Sequence, residues 1–188
     1  MKLKILPLTE SRWNDFEILF GRKGACGGCW CMWWRIKRSE FNNSRGSGNK
    51  RRMKKIVKAG SVPGLLVYCD SKIIGWCSVA PREEFPVLAN SRILKPVDEL
   101  KVWSIVCFFI DKNFRGKGIL TEIIKKVIEY ARKKKVGILE SYPVEPKKGN
   151  IPSVFAWTGF ASAFKKAGFT ECARRSETRP IMRYFIHQ

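Results

Sequence analysis

Cys107-Phe108-Phe109-Ile110-Asp111-Lys112-Asn113-Phe114-Arg115-Gly116-Lys117-Gly118-Ile119 is the stretch on which the reading of this chain turns. Residues 102–110 form a nearly unbroken apolar run rich in β-branched and aromatic side chains, the pattern of a strand buried on both faces. At Ile119 the period changes. Ile119, Ile123, Ile124, Val127, Ile128 and Ala131 recur at helical spacing and make one apolar stripe. Arg115 and Gly118 therefore stand at a helix start, where unpaired N–H groups and the positive end of the macrodipole favour an anion. Glycines there let phosphate oxygens approach the backbone, so the stretch reads as a pyrophosphate cradle. It is not a P-loop, because the longer spacing and the Gly-Lys-Ser/Thr ending are absent.

Working outward, residues 137–142 read as a short strand closed by Pro143, and residues 161–167 as a helix stopped by Gly168. Two strand-like runs follow, 170–174 and 181–186. Upstream, residues 65–69, the Asp70-Ser71 turn and residues 72–79 read as a hairpin. Residues 2–6 supply a first strand and residues 10–20 a first helix. The polar, Gly-containing run 40–50 is expected to be a loop before a basic helix over about 50–59.

The arrangement strand, Phe-Arg-Gly-Lys-Gly-Ile, helix resembles the acetyl-CoA-binding motif of the GNAT superfamily of acyltransferases. That motif runs Arg or Gln, two residues, Gly, one residue, then Gly or Ala. Arg115 and Gly118 match it, and Leu120 stands at the last position. The order of elements over nearly the whole chain follows the same family. The resemblance implies an α/β fold with a mixed, splayed central sheet flanked by helices, in a single domain over residues 1–188. It implies acetyl-CoA as acyl donor and direct transfer of the acyl group to an acceptor amine. Phe108, Phe109 and Ile110 would make main-chain contacts to the pantetheine arm and supply the oxyanion donor. Arg115, Gly116, Lys117, Gly118, Ile119 and Leu120 would hold the pyrophosphate mainly through backbone amides, with Thr121 adding a hydroxyl.

Acyl transfer to an amine needs a group that removes a proton from nitrogen and one that protonates the leaving thiolate. Many GNAT enzymes carry a tyrosine in the helix before the closing Gly-Phe; here that position is Phe164, which cannot donate a proton and is expected to pack against the coenzyme. Tyr142, at the end of a strand, is the leading substitute acid, with Ser153, Ser162 and Cys107 behind it. Candidate bases are Glu83, Glu84, Glu140 and Glu145. Glu83, beside Arg82, and Glu145, framed by Pro146, lead that group.

The chain has 188 residues, with 37 Lys+Arg against 16 Asp+Glu and a formal charge of +21, so polyanions are attracted to its surface. Lys50-Arg51-Arg52-Met53-Lys54-Lys55 and Arg132-Lys133-Lys134-Lys135 are the densest runs. They motivate a second reading, a catalytically weak GNAT-like module that binds coenzyme and presents a basic RNA- or polyanion-binding surface. No apolar run is long enough to span a bilayer, and a soluble protein is expected.

Seven cysteines, an odd count with several in predicted core strands, point to reduced thiols in the cytoplasm. Cys26, Cys29 and Cys31 have a spacing that could ligate zinc, but a second ligand pair is missing and the only histidine is His187. Packing or pocket lining is the preferred role, and no metal is expected. Trp30, Trp33 and Trp34 follow directly. In GNAT proteins the segment between the first two helices flanks the acceptor pocket, which would bring residues 24–35 beside the thioester. The sequence leaves open whether these tryptophans line that pocket or fill the core.

Overall fold

A computed structural model describes residues 2–147 and 156–186. Strand β1 (Leu3–Pro7) leads through a 3-10 turn (Glu10–Arg12) into helix α1 (Trp13–Phe20), followed by α2 (Arg38–Asn43) and α3 (Ser47–Lys58). A hairpin of β2 (Leu65–Cys69) and β3 (Lys72–Pro81) comes next, then the short α4 (Pro86–Ala89) and β4 (Trp103–Ile110). Helix α5 (Ile119–Lys133), β5 (Ile138–Ser141), α6 (Ala161–Lys166), β6 (Thr170–Arg174) and β7 (Pro180–Phe185) complete the order. The strands form one seven-stranded sheet in the order β1-β2-β3-β4-β5-β7-β6. Among the described strands, β4 and β5 are the one pair that runs parallel.

Side chains of β2 divide with the period of two that a strand imposes. Leu65 and Val67 join the core beneath α5, whose buried stripe is the one read from the sequence, Ile119, Ile123, Ile124, Val127, Ile128 and Ala131. Leu66 and Tyr68 face the opposite layer, an aromatic core built by Trp13, Phe16 and Phe20 of α1 with Trp30, Met53 and Trp76. Phe16 sits 4.0 Å from Phe20 and 4.9 Å from Trp76, ring centroid to centroid.

Two features of β4 shape the site. Its parallel pairing with β5 is confined to Trp103↔Leu139, Ser104↔Glu140 and Ile105↔Ser141. On its other edge Ser78 pairs with Cys107 and Val79 with Ile105, so Val106 is an extra, bulged residue. Beyond Ile105 the strand therefore swings away from β5 and the sheet forks.

Strand β4 falls within a residue of its expected bounds, a normal uncertainty at element ends, and helix α5 begins at the expected Ile119. Residues 40–50, expected as a loop, are instead largely helical. Phe41 is buried and meets Trp33 edge-to-face at 5.1 Å, which anchors α2, and Gly46 (φ 74) turns the chain into α3. Tertiary packing here overrides a composition of Asn, Ser and Gly that favours turns. Among the described residues, no helix is long and apolar enough to cross a membrane.

Candidate functional site

The loop after β4 is built by short-range bonds. The Asp111 carboxylate accepts from the Asn113 amide at 2.9 Å and starts a 3-10 turn (Lys112–Phe114). Arg115 Nε donates to the Ile110 carbonyl at 2.7 Å, folding the loop back on the strand end. Gly116 (φ 79) and Gly118 (φ 70) take left-handed backbone, and a Cβ on either would meet nothing within 4 Å. Conformation rather than crowding calls for glycine, and the amide face at the start of α5 stays open. Gly118 is the N-cap of that helix, and the Thr121 amide returns to its carbonyl at 3.0 Å. An open amide face at a helix start is suited to an anion.

The cradle opens into a cavity of about 1010 Å³ that follows the fork in the sheet. One end is lined by Arg115, Gly116, Gly118, Ile119, Leu120 and Thr121, and the middle by Phe108, Phe109 and Ile110. Ser162, Ala163 and Lys166 come in from α6. The other end is aromatic and sulfur-rich: Trp33, Trp34, Phe41, Trp157, Cys26, Cys29, Cys31 and Cys107. Trp157 lies 5.6 Å from Trp34 and 6.0 Å from Trp33, and the Trp34 indole donates to the carbonyl of the bulged Val106 at 3.1 Å. Trp33 and Trp34 thus line the cavity, whereas Trp30 fills the core beside Trp13 and Phe20. The Phe108 amide, expected as an oxyanion donor, donates to the Trp157 carbonyl at 2.6 Å.

Cys31 occupies the floor of this end. The loop carrying it is unusual, since Ala25, Trp30 and Cys31 all have positive φ (63, 41 and 59) without being glycine. The loop is pinned from outside by the Gly46 amide and Asn49 Nδ2, which reach the Gly28 carbonyl at 3.0 and 3.1 Å. The Trp76 indole donates to Cys31 Sγ at 3.1 Å. The neighbouring Cys107 side chain above all, with Ser78, the Trp76 indole and the Arg35 cation, brings the Cys31 thiol down to about 7 against the opposing effect of burial, while the Ser78 hydroxyl itself donates to the Pro63 carbonyl at 3.3 Å. Cys107 is pushed up, by its neighbour Cys31 first and then by burial. Burial raises Cys29 to about 11 and Cys77 well above the ordinary thiol range. Among the described residues no three His, Cys, Asp or Glu side chains gather as a metal site.

The carboxylates and the tyrosine proposed from sequence lie elsewhere. Tyr142 is fully buried behind β5, where its hydroxyl bonds Glu140 Oε1 at 2.6 Å and Ser104 at 2.8 Å and also meets Arg82. Burial, first of all, holds its pKa well above the ordinary tyrosine value. Glu140 is clamped between Arg82 and Arg183, the latter at 2.7 Å, and Arg183 continues to Asp98 at 2.6 Å. Glu83 is exposed on a 3-10 turn (Arg82–Glu84), and neighbouring Glu84 pairs with Arg35 at 2.6 Å. Glu145 binds Lys165 at 2.7 Å and Arg174, which lower its pKa.

Phe164 is fully buried against Phe108 (6.0 Å) and Phe169 (5.0 Å), while its neighbour Ala163 lines the cavity. Tyr142, Glu83, Glu145, Phe164 and the exposed Lys117 are outside the described cavity lining, which contains no Asp, Glu or Tyr. Ser153 and His187 fall outside the described residues. Sequence reasoning did not single out Cys31 among its neighbouring cysteines as the sulfur that receives the Trp76 indole. The signal available was the pair of glycines within Cys26-Gly27-Gly28-Cys29-Trp30-Cys31, which marks a backbone bent to present side chains.

Comparison with known proteins gives a consistent picture. The profile of the Acetyltransferase (GNAT) family matches residues 30–160. An uncharacterized N-acetyltransferase of Methanocaldococcus jannaschii is 30% identical over 95 residues, a stretch that is 50% of this chain and 38% of that protein. The match thus spans well under half the length of that relative. Among solved structures, the PaiA N-acetyltransferase of Thermoplasma acidophilum in complex with coenzyme A is similar at TM-score 0.53 and 12% identity, covering 99% of this chain and 100% of the other. A GNAT-family acetyltransferase from Streptococcus agalactiae gives 0.59 at 12% identity, covering 99% and 96%. Aminoglycoside acetyltransferase AAC(6')-Ib, in complex with coenzyme A and kanamycin, gives 0.58 at 13%, covering 98% and 95%. At these identities the structural likeness speaks for the fold.

Proposed function

Since the chain belongs to the Acetyltransferase (GNAT) family, we propose that it is an acetyl-CoA-dependent N-acetyltransferase whose acceptor is an amine carried on an apolar or aromatic body. The observation that carries this reading is the continuity of one cavity from the glycine cradle at the start of α5, past the end of β4, to the tryptophan-walled end. The first part suits a pyrophosphate, and the fork suits the extended pantetheine arm. Two coenzyme complexes among the solved relatives support the donor. Trp33, Trp34 and Trp157 suit an aromatic or aliphatic amine, and the lack of carboxylates among the described lining residues argues against a polycation. We read residues 1–188 as one catalytic domain and place it in the cytoplasm, a reading supported by its free cysteines.

The test is titration calorimetry with acetyl-CoA, free CoA and ADP at two salt concentrations, followed by turnover on a panel of amines. Saturable acetyl-CoA binding that is weakened by Gly118→Trp, with an acetylated amine as product, is expected. Absence of binding, or uptake shared by all polyanions and abolished by salt, would overturn the reading.

A further inference from the structure

We propose that the acceptor is an amine whose apolar body ends in a carboxylate, the two charged groups standing at opposite ends, and that Arg45 is the residue that reads the carboxylate. This deepens the acetyl-CoA-dependent reading above and rests on it.

From the fork outward, the cavity wall is a file of rings. It starts at β4, where the Trp34 indole donates to the Val106 carbonyl at 3.1 Å. Trp157 lies 5.6 Å from Trp34, Trp33 lies 6.0 Å from Trp157, and Phe41 lies 5.1 Å from Trp33. The file ends on a cation, since the Arg45 guanidinium sits over the Phe41 ring at 5.6 Å. All five side chains line the one cavity. An acceptor lying along the rings with its amine at β4 therefore has its far end at Arg45, several ring widths away. In such pockets the apolar walls supply the contact area and a few placed polar groups set the orientation.

Charge points the same way. Besides Arg45, the charged residues of the described lining are Arg115, folded back on the Ile110 carbonyl beside the cradle, and Lys166 of α6. Other cations around the aromatic layer have carboxylate partners: Lys50 meets Glu17 at 2.5 Å, Arg52 meets Glu40 at 3.4 Å and Arg35 meets Glu84 at 2.6 Å. Arg45 gives one N–H to Asn42 Oδ1 at 3.0 Å, and among the described residues no carboxylate meets the rest of its fork. A guanidinium stacked on a ring keeps its N–H edge free in the plane, where a carboxylate can take two bonds in parallel. The next residue, Gly46, donates its amide to the Gly28 carbonyl at 3.0 Å, which ties the turn carrying Arg45 to the cysteine loop of the same cavity end. The same cation selects against diamines, whose second ammonium would meet it with no acid nearby.

Paired acceptors that differ in the carboxylate alone test this: ε-aminocaproate against pentylamine, and para-(aminomethyl)benzoate against benzylamine. With acetyl-CoA in excess and at physiological salt, each amino acid is expected to show at least about a tenfold higher kcat/KM than its partner, carried by KM. Arg45→Gln should bring that ratio to about one and Arg45→Lys should recover part of it, with acetyl-CoA binding retained by calorimetry. Arg38→Gln removes a cation that stacks on Trp33 but is outside the described lining, and it should keep the ratio. In parallel, protein saturated with CoA is titrated with para-(aminomethyl)benzoate and the quenching of tryptophan fluorescence is followed, a readout that needs no turnover. Ratios near one in the wild type would overturn the proposal, as would neither turnover nor quenching by the amino acids in protein that binds acetyl-CoA. An equal loss in Arg38→Gln would mark the general positive field of the chain, and a loss of acetyl-CoA affinity in Arg45→Gln would assign the cation to the coenzyme; either overturns it too. Failure of the wild type to bind acetyl-CoA would instead sink the transferase reading on which the proposal rests.

Discussion

The indole N–H of Trp76 meets the sulfur of Cys31 at 3.1 Å across 45 positions of sequence, tying the middle of β3 to the strained loop between α1 and α2. Everything titratable or charged that surrounds this sulfur bears on its proton: Cys107 from β4, Cys77 from β3, Cys29 from its own loop and the Arg35 guanidinium. A thiol lowered to about 7 is partly ionised at neutral pH. Its contribution to stability is present above the unfolded thiol value of about 8.5 and is lost as pH falls through the folded value. Trp76→Phe removes one donor to the anion and should raise the Cys31 value by about 1–2 pH units, the equivalent of a hydrogen bond of about 1.5–3 kcal/mol to a charged group. The pH dependence of Cys31 alkylation, read peptide by peptide, checks this. An unchanged midpoint would show that the indole does not hold the charge.

Tyr142→Phe separates a structural hydroxyl from a catalytic one. The hydroxyl touches Glu140, Ser104 and Arg82 and lies outside the described cavity lining. The variant should lose about 1–2 kcal/mol of stability in urea, with amine turnover retained. A collapse of turnover in a variant of normal stability would return the acid's role to this residue.

Gly28→Ala should be costly despite adding one methyl group. A Cβ there would lie 2.4 Å from the Gly46 amide nitrogen, on backbone at φ +71. Backbone cannot rotate aside as a side chain does, so a loss of about 1–3 kcal/mol is expected together with release of the loop from α3. Thermal unfolding gives the first number. Faster alkylation of Cys31 would report the second.

Trp33→Ala tests the acceptor wall. Trp33 packs edge-to-face with Phe41 and Trp157, and the Arg38 guanidinium lies 3.4 Å from its ring centroid. Removing it should raise KM for aromatic amines about fivefold to tenfold, the equivalent of about 1–1.4 kcal/mol, and leave acetyl-CoA affinity unchanged. Equal effects on both ligands would show general loosening of the cavity.

What the chain discloses in its order and what it withholds differ in range. The strand-to-helix switch at Ile119 is legible because periodicity is local, and Gly116 and Gly118 mark the cradle because positive φ is a property of single residues. The setting of Tyr142 depends on partners far away. Glu140, its neighbour, is reached by Arg82 from 58 positions and by Arg183 from 43, and no pattern around 142 foretells either. The setting of Cys31 is hidden for the same reason, since Trp76 reaches its sulfur from 45 positions away. Residues 40–50 mislead in the opposite direction: their local composition says loop, and one buried phenylalanine, Phe41, anchors helix there.

The clamp of Arg82 and Arg183 on Glu140 acts as the rivet of a pair of tongs. Only three register pairs join β4 to β5 before the strands part, a seam that would peel readily if strand pairing alone held it. Glu140 stands within that seam and is gripped from the end of β3 on one side and from β7 on the other. A slender guest wedged into the fork therefore loads the rivet instead of the ladder. Parting the jaws at this point means breaking the ion pairs of Glu140 with Arg82 and Arg183 as well as the three register pairs.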